Sequence, residues 1–131
     1  MNTGNTKKDA RSRTKLRGVH PKLKAVLEGF ARRPCARPTQ FVVTEGLRTT
    51  DRQRELVIAG ASKTMASKHL VGRAVDLAVV VDGEVRWDWP LYLQLGKDLK
   101  DYARAQDVEI VWGGDWASFP DGPHFELAAG E

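Results

Sequence analysis

The sequence contains a single cysteine, Cys35, in 131 residues. An internal disulfide is therefore excluded, and one thiol without a cysteine neighbour makes no zinc finger. Such usage fits synthesis in a reducing cytosol. No apolar stretch approaches the roughly 20 residues of a membrane span. The first residues, MNTGNTKKDARSRTKLRG, have no apolar run and do not read as a secretory signal peptide. No internal repeat is present. Acid is scarce at the front. Residues 1–37 carry 11 Lys and Arg against only Asp9 and Glu28, a net charge of +9, whereas the remainder carries −5. Such a front suits a polyanion (nucleic acid, a membrane surface or an anionic cell wall), or it is a solvated tail followed by a charged helix face. Residues 1–17 are expected to form a flexible basic segment, and residues 18–131 one domain of ordinary size.

Apolar spacing outlines the elements. Val19, Leu23, Val26, Leu27 and Phe30 recur at helical intervals, with Pro21 tolerable in a first turn. QFVVTEG (40–46) is rich in β-formers and stops at glycine. Residues 50–60 read as a helix capped by Thr50 or Asp51 and ended by Gly60. Residues 73–87 read as a strand, a VDGEV turn and a short returning strand. Residues 89–106 form an amphipathic helix with Trp89, Leu93, Gly96, Leu99 and Tyr102 near one face. Strands at 108–113 and 124–127 flank a loop. Helices and strands mix without βαβ alternation, so the fold class is α+β with a mainly antiparallel sheet.

One residue does not suit its surroundings. Asp76 lies inside RAVDLAVVV, a run that otherwise reads as a buried strand. A buried carboxylate is normally paired, hydrogen-bonded or metal-bound. Alternation puts Ala74, Asp76 and Ala78 on one face and Val75, Leu77 and Val79 on the other. His69 stands seven residues earlier, so it meets Asp76 only if the chain doubles back, and Gly72 permits that reversal. His124 opens the last strand, with Glu126 on the same face. Should that strand lie beside 74–80, two imidazoles and a carboxylate converge, with a coordination position left open as in a catalytic zinc site. The same donors can hold non-haem iron, although usually in a tight H-x-D/E step within a larger barrel. The alternative is that His69 and His124 are ordinary polar residues and Asp76 pairs with Arg48 or Arg73. His20, before Pro21, reads as a surface residue.

SKHLVGRAVD followed by DGPHFE resembles the S-x-H-x-x-G-x-A-x-D and [ED]-x-x-H signature of the LAS metallopeptidases. That group includes D-alanyl-D-alanine carboxypeptidases and dipeptidases and the phage L-alanyl-D-glutamate endopeptidases. VTEGLRTTDRQRELVIAGASKT and VWGGDWASFPDGPHFE are similar to the phage branch, and the likeness covers residues 19–127. The resemblance implies one catalytic Zn²⁺ held by His69, Asp76 and His124, with Asp121 as general base and Arg48 facing the substrate. Ser67 then contacts substrate or a ligand, and Glu126 either orients an imidazole or pairs with a nearby Lys or Arg. Asp115 either lines the groove or closes its loop by an Asx turn. Trp112 and Trp116 either wall the groove or simply pack.

In such a site zinc lowers the pKa of its water from about 15.7 toward about 7. Asp121 takes the proton and hands it to the leaving amine, while Arg48 faces the charge developing on the carbonyl oxygen. The substrate implied is the peptidoglycan stem peptide, cut between L-alanine and D-glutamate, and Lys63, Lys68 and Arg73 offer a cationic rim for its carboxylates. The expected setting is a monomeric phage endolysin, held in the host cytoplasm until lysis, with no specific nucleic-acid partner. A D,D-carboxypeptidase or dipeptidase, or a non-catalytic wall-binding relative, are the competing readings.

Overall fold

A computed structural model describes residues 1–62 and 64–131. Among the described residues, four α-helices, α1 (Thr6–Lys15), α2 (Pro21–Arg32), α3 (Thr50–Ile58) and α4 (Trp89–Ala105), accompany five strands, β1 (Gln40–Glu45), β2 (Ala74–Val81), β3 (Glu84–Arg86), β4 (Ile110–Trp112) and β5 (His124–Leu127). The strands run in the order β1-β2-β5-β4 and every pairing is antiparallel, so the α+β class holds. β2 is the spine. One edge pairs with β1, and the other is shared by β5 at residues 74–76 and β3 at residues 79–81. The Asp82-Gly83 turn joining β2 to β3 has both residues at positive φ, as a tight hairpin needs.

Alternation along β2 sorts its side chains. Val75, Leu77 and Val79 enter the core with Phe41, Val43, Phe125 and Leu127. α2 and α4 cover that face with Leu23, Val26, Leu27, Phe30, Tyr92, Leu95 and Leu99. Burying each such side chain contributes roughly 1.5–3 kcal/mol. The buried face of α4 is rotated from the one the sequence suggests. Trp89 and Leu93 are exposed, while Tyr92 and Ala103 are buried. Tyr92 draws the helix round because its hydroxyl accepts from the Val79 N–H at 3.0 Å and donates to the Arg86 carbonyl at 2.8 Å. α3 starts one residue early, with Thr49 rather than Thr50 or Asp51 as its cap.

The front of the chain corrects an expectation. Residues 1–17 are not a free tail, because α1 is packed on β1. The reason is the open edge of the sheet, where among the described residues β1 has no strand beyond it. Asn2 Oδ1 accepts from the Phe41 N–H at 2.9 Å, and Ser12 Oγ accepts from the Val43 N–H at 2.9 Å. Asn2 Nδ2 donates to the Thr39 carbonyl at 2.8 Å. Two polar side chains thus complete the hydrogen bonding of an edge strand that would otherwise attract another chain. Ser12 and Leu16 are buried, while Lys7, Arg11, Arg13 and Lys15 remain exposed.

Candidate metal centre

The face of β2 opposite the core carries Asp76. Its cross-strand partner in β5 is His124, which places the two side chains together on that face. His69 arrives from a short 3-10 helix, Lys68–Val71, that ends at Gly72 in the left-handed region, φ 71°. Any side chain at Gly72 would collide with the Gly18 carbonyl, so glycine is required twice over at this reversal. His20 ties the same corner, its N–H donating to the Gly72 carbonyl at 2.7 Å while its Nδ1 caps α2.

Asp76 Oδ1 lies 3.3 Å from His69 Nε2 and 3.4 Å from His124 Nδ1. Among the described residues, Asp76 Oδ1 and His69 Nε2 are the buried side-chain polar atoms with no hydrogen-bond partner. Two ligands each about 2.05 Å from a tetrahedral zinc stand about 3.3 Å apart. The spacing is therefore that of neighbours around one cation, and one ligand atom from each of the three residues lies within 4.8 Å of the others. The remaining ring nitrogens are engaged as metal-bound histidines require. His69 Nδ1 is 2.9 Å from the Gly46 carbonyl, and His124 Nε2 is 2.8 Å from Glu126 Oε1. Glu126 also meets Lys68 Nζ at 3.1 Å, so it both orients an imidazole and pairs with a lysine. Gly46 sits where a Cβ would strike the Lys15 carbonyl, so the end of α1 presses directly on the turn that holds His69.

Electrostatics follow from this packing. Burial alone would raise the carboxyl of Asp76, but the His124 and His69 imidazoles outweigh it and hold it well below the usual range. Burial would lower His124, yet the carboxylates of Asp76 and Glu126 push it up to about 9 in the absence of metal. Asp121 is raised by burial and by the charge of Asp76. Without a cation the cluster therefore keeps a proton on an imidazole.

Arg48 lines the cleft over the cluster, as a residue facing the substrate would, and is at the same time held by neighbours within the chain. Its side chain is buried, with Nε and Nη2 on the two Glu45 oxygens at 2.8 Å each. Nη1 donates to Gln53 Oε1 at 2.7 Å and reaches Ser67 Oγ at 3.5 Å, and Nη2 lies 3.5 Å from Asp76 Oδ2. The guanidinium thus makes four hydrogen bonds within the chain, and its contact with Asp76 is an ion pair. Arg48 holds the outer oxygen of Asp76 and leaves the inner one for a cation. Ser67 also caps the 68–71 turn by accepting from the His69 N–H at 3.2 Å.

Glu45 and Gln53 are functional positions that the sequence did not single out. The register between β1 and β2 shifts between Val43 and Glu45, so that Glu45, rather than Thr44, stands opposite Asp76. That bulge turns Glu45 out of the core face and onto the site. Gln53 is fully buried and donates to Ser62 Oγ and the Thr64 carbonyl, tying α3, Ser62 and Thr64 to Arg48. Both signals lay in the EGLR…RQ stretch.

A cleft of about 570 Å³ opens over the cluster, lined by Glu45, Arg48, Ser67, Lys68, Trp116 and Asp121 among others. Trp116 stands with its ring centre 5.0 Å from that of His124 and lines the cleft, whereas Trp112 is buried and donates from Nε1 to the Gly122 carbonyl at 2.7 Å. Asp115 does not join the site. It is drawn to Lys100 of α4 in an ion pair and borders a different surface hollow. Arg73 donates to the Ala128 carbonyl and does not line the cleft, and Lys63 lies outside the described residues.

The family model described as phage L-alanyl-D-glutamate peptidase matches residues 5–128. The chain belongs to that family. The match begins inside the segment expected to be a tail, in agreement with the docked α1. The L-alanyl-D-glutamate peptidase of Listeria phage A118 is 39% identical over 67% of this chain, which spans only 30% of that longer protein. The peptidoglycan L-alanyl-D-glutamate endopeptidase CwlK of Bacillus subtilis is 33% identical over 83% of this chain and 73% of its own length. The solved structure of the Serratia marcescens L-Ala D-Glu endopeptidase ChiX superposes with a TM-score of 0.82 at 44% identity, covering 91% of this chain and 87% of that one. A vancomycin-resistance D,D-pentapeptidase, VanY, solved in complex with Zn(II), shares the fold at a TM-score of 0.56 and 17% identity, over 83% of this chain and 72% of that one. Family membership makes this chain a peptidase by descent, and no described helix is long and apolar enough to cross a membrane.

Proposed function

We propose that this protein is a zinc-dependent endopeptidase that hydrolyses the L-alanyl–D-glutamate bond of murein stem peptides and serves as a phage endolysin. The observation that carries the proposal is the pair of orphaned buried atoms, Asp76 Oδ1 and His69 Nε2, set at ligand spacing beside His124 Nδ1. The donor set of two neutral imidazoles and one carboxylate suits zinc with a position left for water. When bound there, zinc would supply a water acidic enough to ionise near neutrality and would polarise the scissile carbonyl.

The chain's own residues do the rest. Gly46 and Glu126 fix the tautomers of His69 and His124 by accepting from their outer N–H groups. Arg48, clamped by Glu45 and Gln53, holds Asp76 Oδ2 and so sets the carboxylate's orientation. That makes Arg48 a positioning residue in this state rather than a donor to the carbonyl oxygen. Asp121 lines the cleft three residues before His124, and burial has already raised its affinity for a proton. It takes the proton from the attacking water and delivers it to the leaving amine of D-glutamate, which leaves a free L-alanyl carboxylate.

The test is product analysis on purified muropeptides, with and without a chelator, for wild type and Asp121→Asn. New L-alanyl carboxyl and D-glutamyl amino termini that need metal are expected. Asp121→Asn should keep zinc and lose about 10²–10⁴-fold in turnover. Release of D-alanine instead would identify a D,D-carboxypeptidase, and wall binding without cleavage would identify a non-catalytic relative.

A further inference from the structure

Four carboxylates, from Glu45, Asp76, Asp121 and Glu126, line the cleft, while its Lys and Arg side chains among the described residues are Arg48 and Lys68. A divalent ion would bring these charges to balance, so no surplus positive field would remain for an acidic substrate. Recognition of a substrate carboxylate then falls to a local donor. Arg48 is buried, hydrogen-bonded to Glu45, Gln53 and Ser67, and ion-paired with Asp76. Lys68 differs. Its side chain is 39% exposed, its base is fixed in the turn that presents His69, and among the described residues its ammonium is paired with Glu126 alone. An ammonium has three hydrogens to donate, more than that one pair uses, and Lys68 lines the cleft.

Resting on the bond assignment above, we propose that Lys68 reads the α-carboxylate of the D-glutamate residue, selecting stem peptides that carry it free over those in which it is amidated. The chemistry of the substrate supports the match. The stem continues through the γ-carboxyl of D-glutamate, so the α-carboxylate hangs on the carbon attached to the scissile nitrogen. Whenever that bond lies at the metal ligands, the carboxylate lies inside the same cleft. Glu126 links the two, with one oxygen on His124 and the other on Lys68. A charge-assisted hydrogen bond to ammonium is lost when the carboxylate becomes a neutral amide, and the amide N–H₂ then faces a group that can only donate.

The experiment uses the zinc-loaded full chain and two synthetic stem tetrapeptides differing only in a free or amidated α-carboxyl of D-glutamate. Wild type should favour the free acid by about 10–100-fold in kcat/KM, chiefly through KM. Lys68→Met should shrink that ratio to below about threefold, and Lys68→Arg should restore most of it. Zinc content measured alongside separates a loss of metal from a loss of recognition. A wild-type ratio near one, or a Lys68→Met variant that slows both substrates equally, would overturn the assignment and leave Lys68 acting only through Glu126 and His124. Cleavage of neither substrate by wild type would instead overturn the bond assignment, and this inference with it.

Discussion

Asp76 and His124 face one another across the β2–β5 ladder with Oδ1 3.4 Å from Nδ1, closer than indifferent neighbours and not aligned as a hydrogen bond. Ligands of one cation would stand at that distance. Asp76→Asn keeps the shape and removes the charge. We expect it to lower zinc affinity at least about 100-fold and to abolish hydrolysis while the fold persists. Metal analysis after gel filtration checks this, and one zinc per chain retained by the variant would refute the ligand set.

Glu126 acts one step further out, through its 2.8 Å contact with His124 Nε2. Glu126→Gln still offers an acceptor but no charge. A drop of about 10–100-fold in zinc affinity is expected, smaller than for a ligand, because orienting partners tune rather than form the site. A competition titration against a chromophoric chelator measures it, and an affinity equal to wild type would reduce Glu126 to a partner for Lys68.

The site was legible where its logic is local. A carboxylate in an apolar strand, a glycine that reverses the chain and a two-residue alternation allowed His69, Asp76 and His124 to meet, the family resemblance implied them as ligands, and β5 lies beside β2 as that meeting required. Contacts made between distant segments were not legible. Nothing near Asp115 in sequence announces Lys100 of α4, and nothing near Glu45 announces the bulge that turns it toward Asp76. The face of α4 was misjudged because spacing alone does not weigh a tyrosine hydroxyl with two backbone partners against a tryptophan at the rim.

α1 is the largest such case, and it yields a prediction. Its composition is that of a solvated tail, yet Ser12 is fully buried and accepts from the Val43 N–H on the open edge of β1. Ser12→Ala leaves that N–H buried without a partner, at a cost of about 1–3 kcal/mol. The denaturant midpoint should fall accordingly with an unchanged slope. A midpoint equal to wild type would mean that the Ser12 bond contributes nothing to the fold.

Protonation of the empty cluster makes a prediction about pH. Asp76 and Glu126 push His124 from 6.5 up to about 9 against the effect of burial. At pH 7 the metal-free protein therefore carries a proton on a nitrogen that zinc needs. Zinc uptake at pH 7 should release that proton, and apparent affinity should rise about tenfold per pH unit from 7 toward 9, then flatten. The linked effect on stability has the opposite slope. Because the folded pKa is raised, its contribution is complete below pH 6.5 and disappears as pH rises through about 9. Chelated protein should thus melt at lower temperature at pH 9 than at pH 6.5, while zinc-loaded protein, in which His124 is already neutral, should not follow that decline. Melting curves at both pH values, with and without chelator, decide it. A chelated protein whose Tm does not fall across this range would show that His124 is not held protonated, and that the carboxylates around it do not act as described.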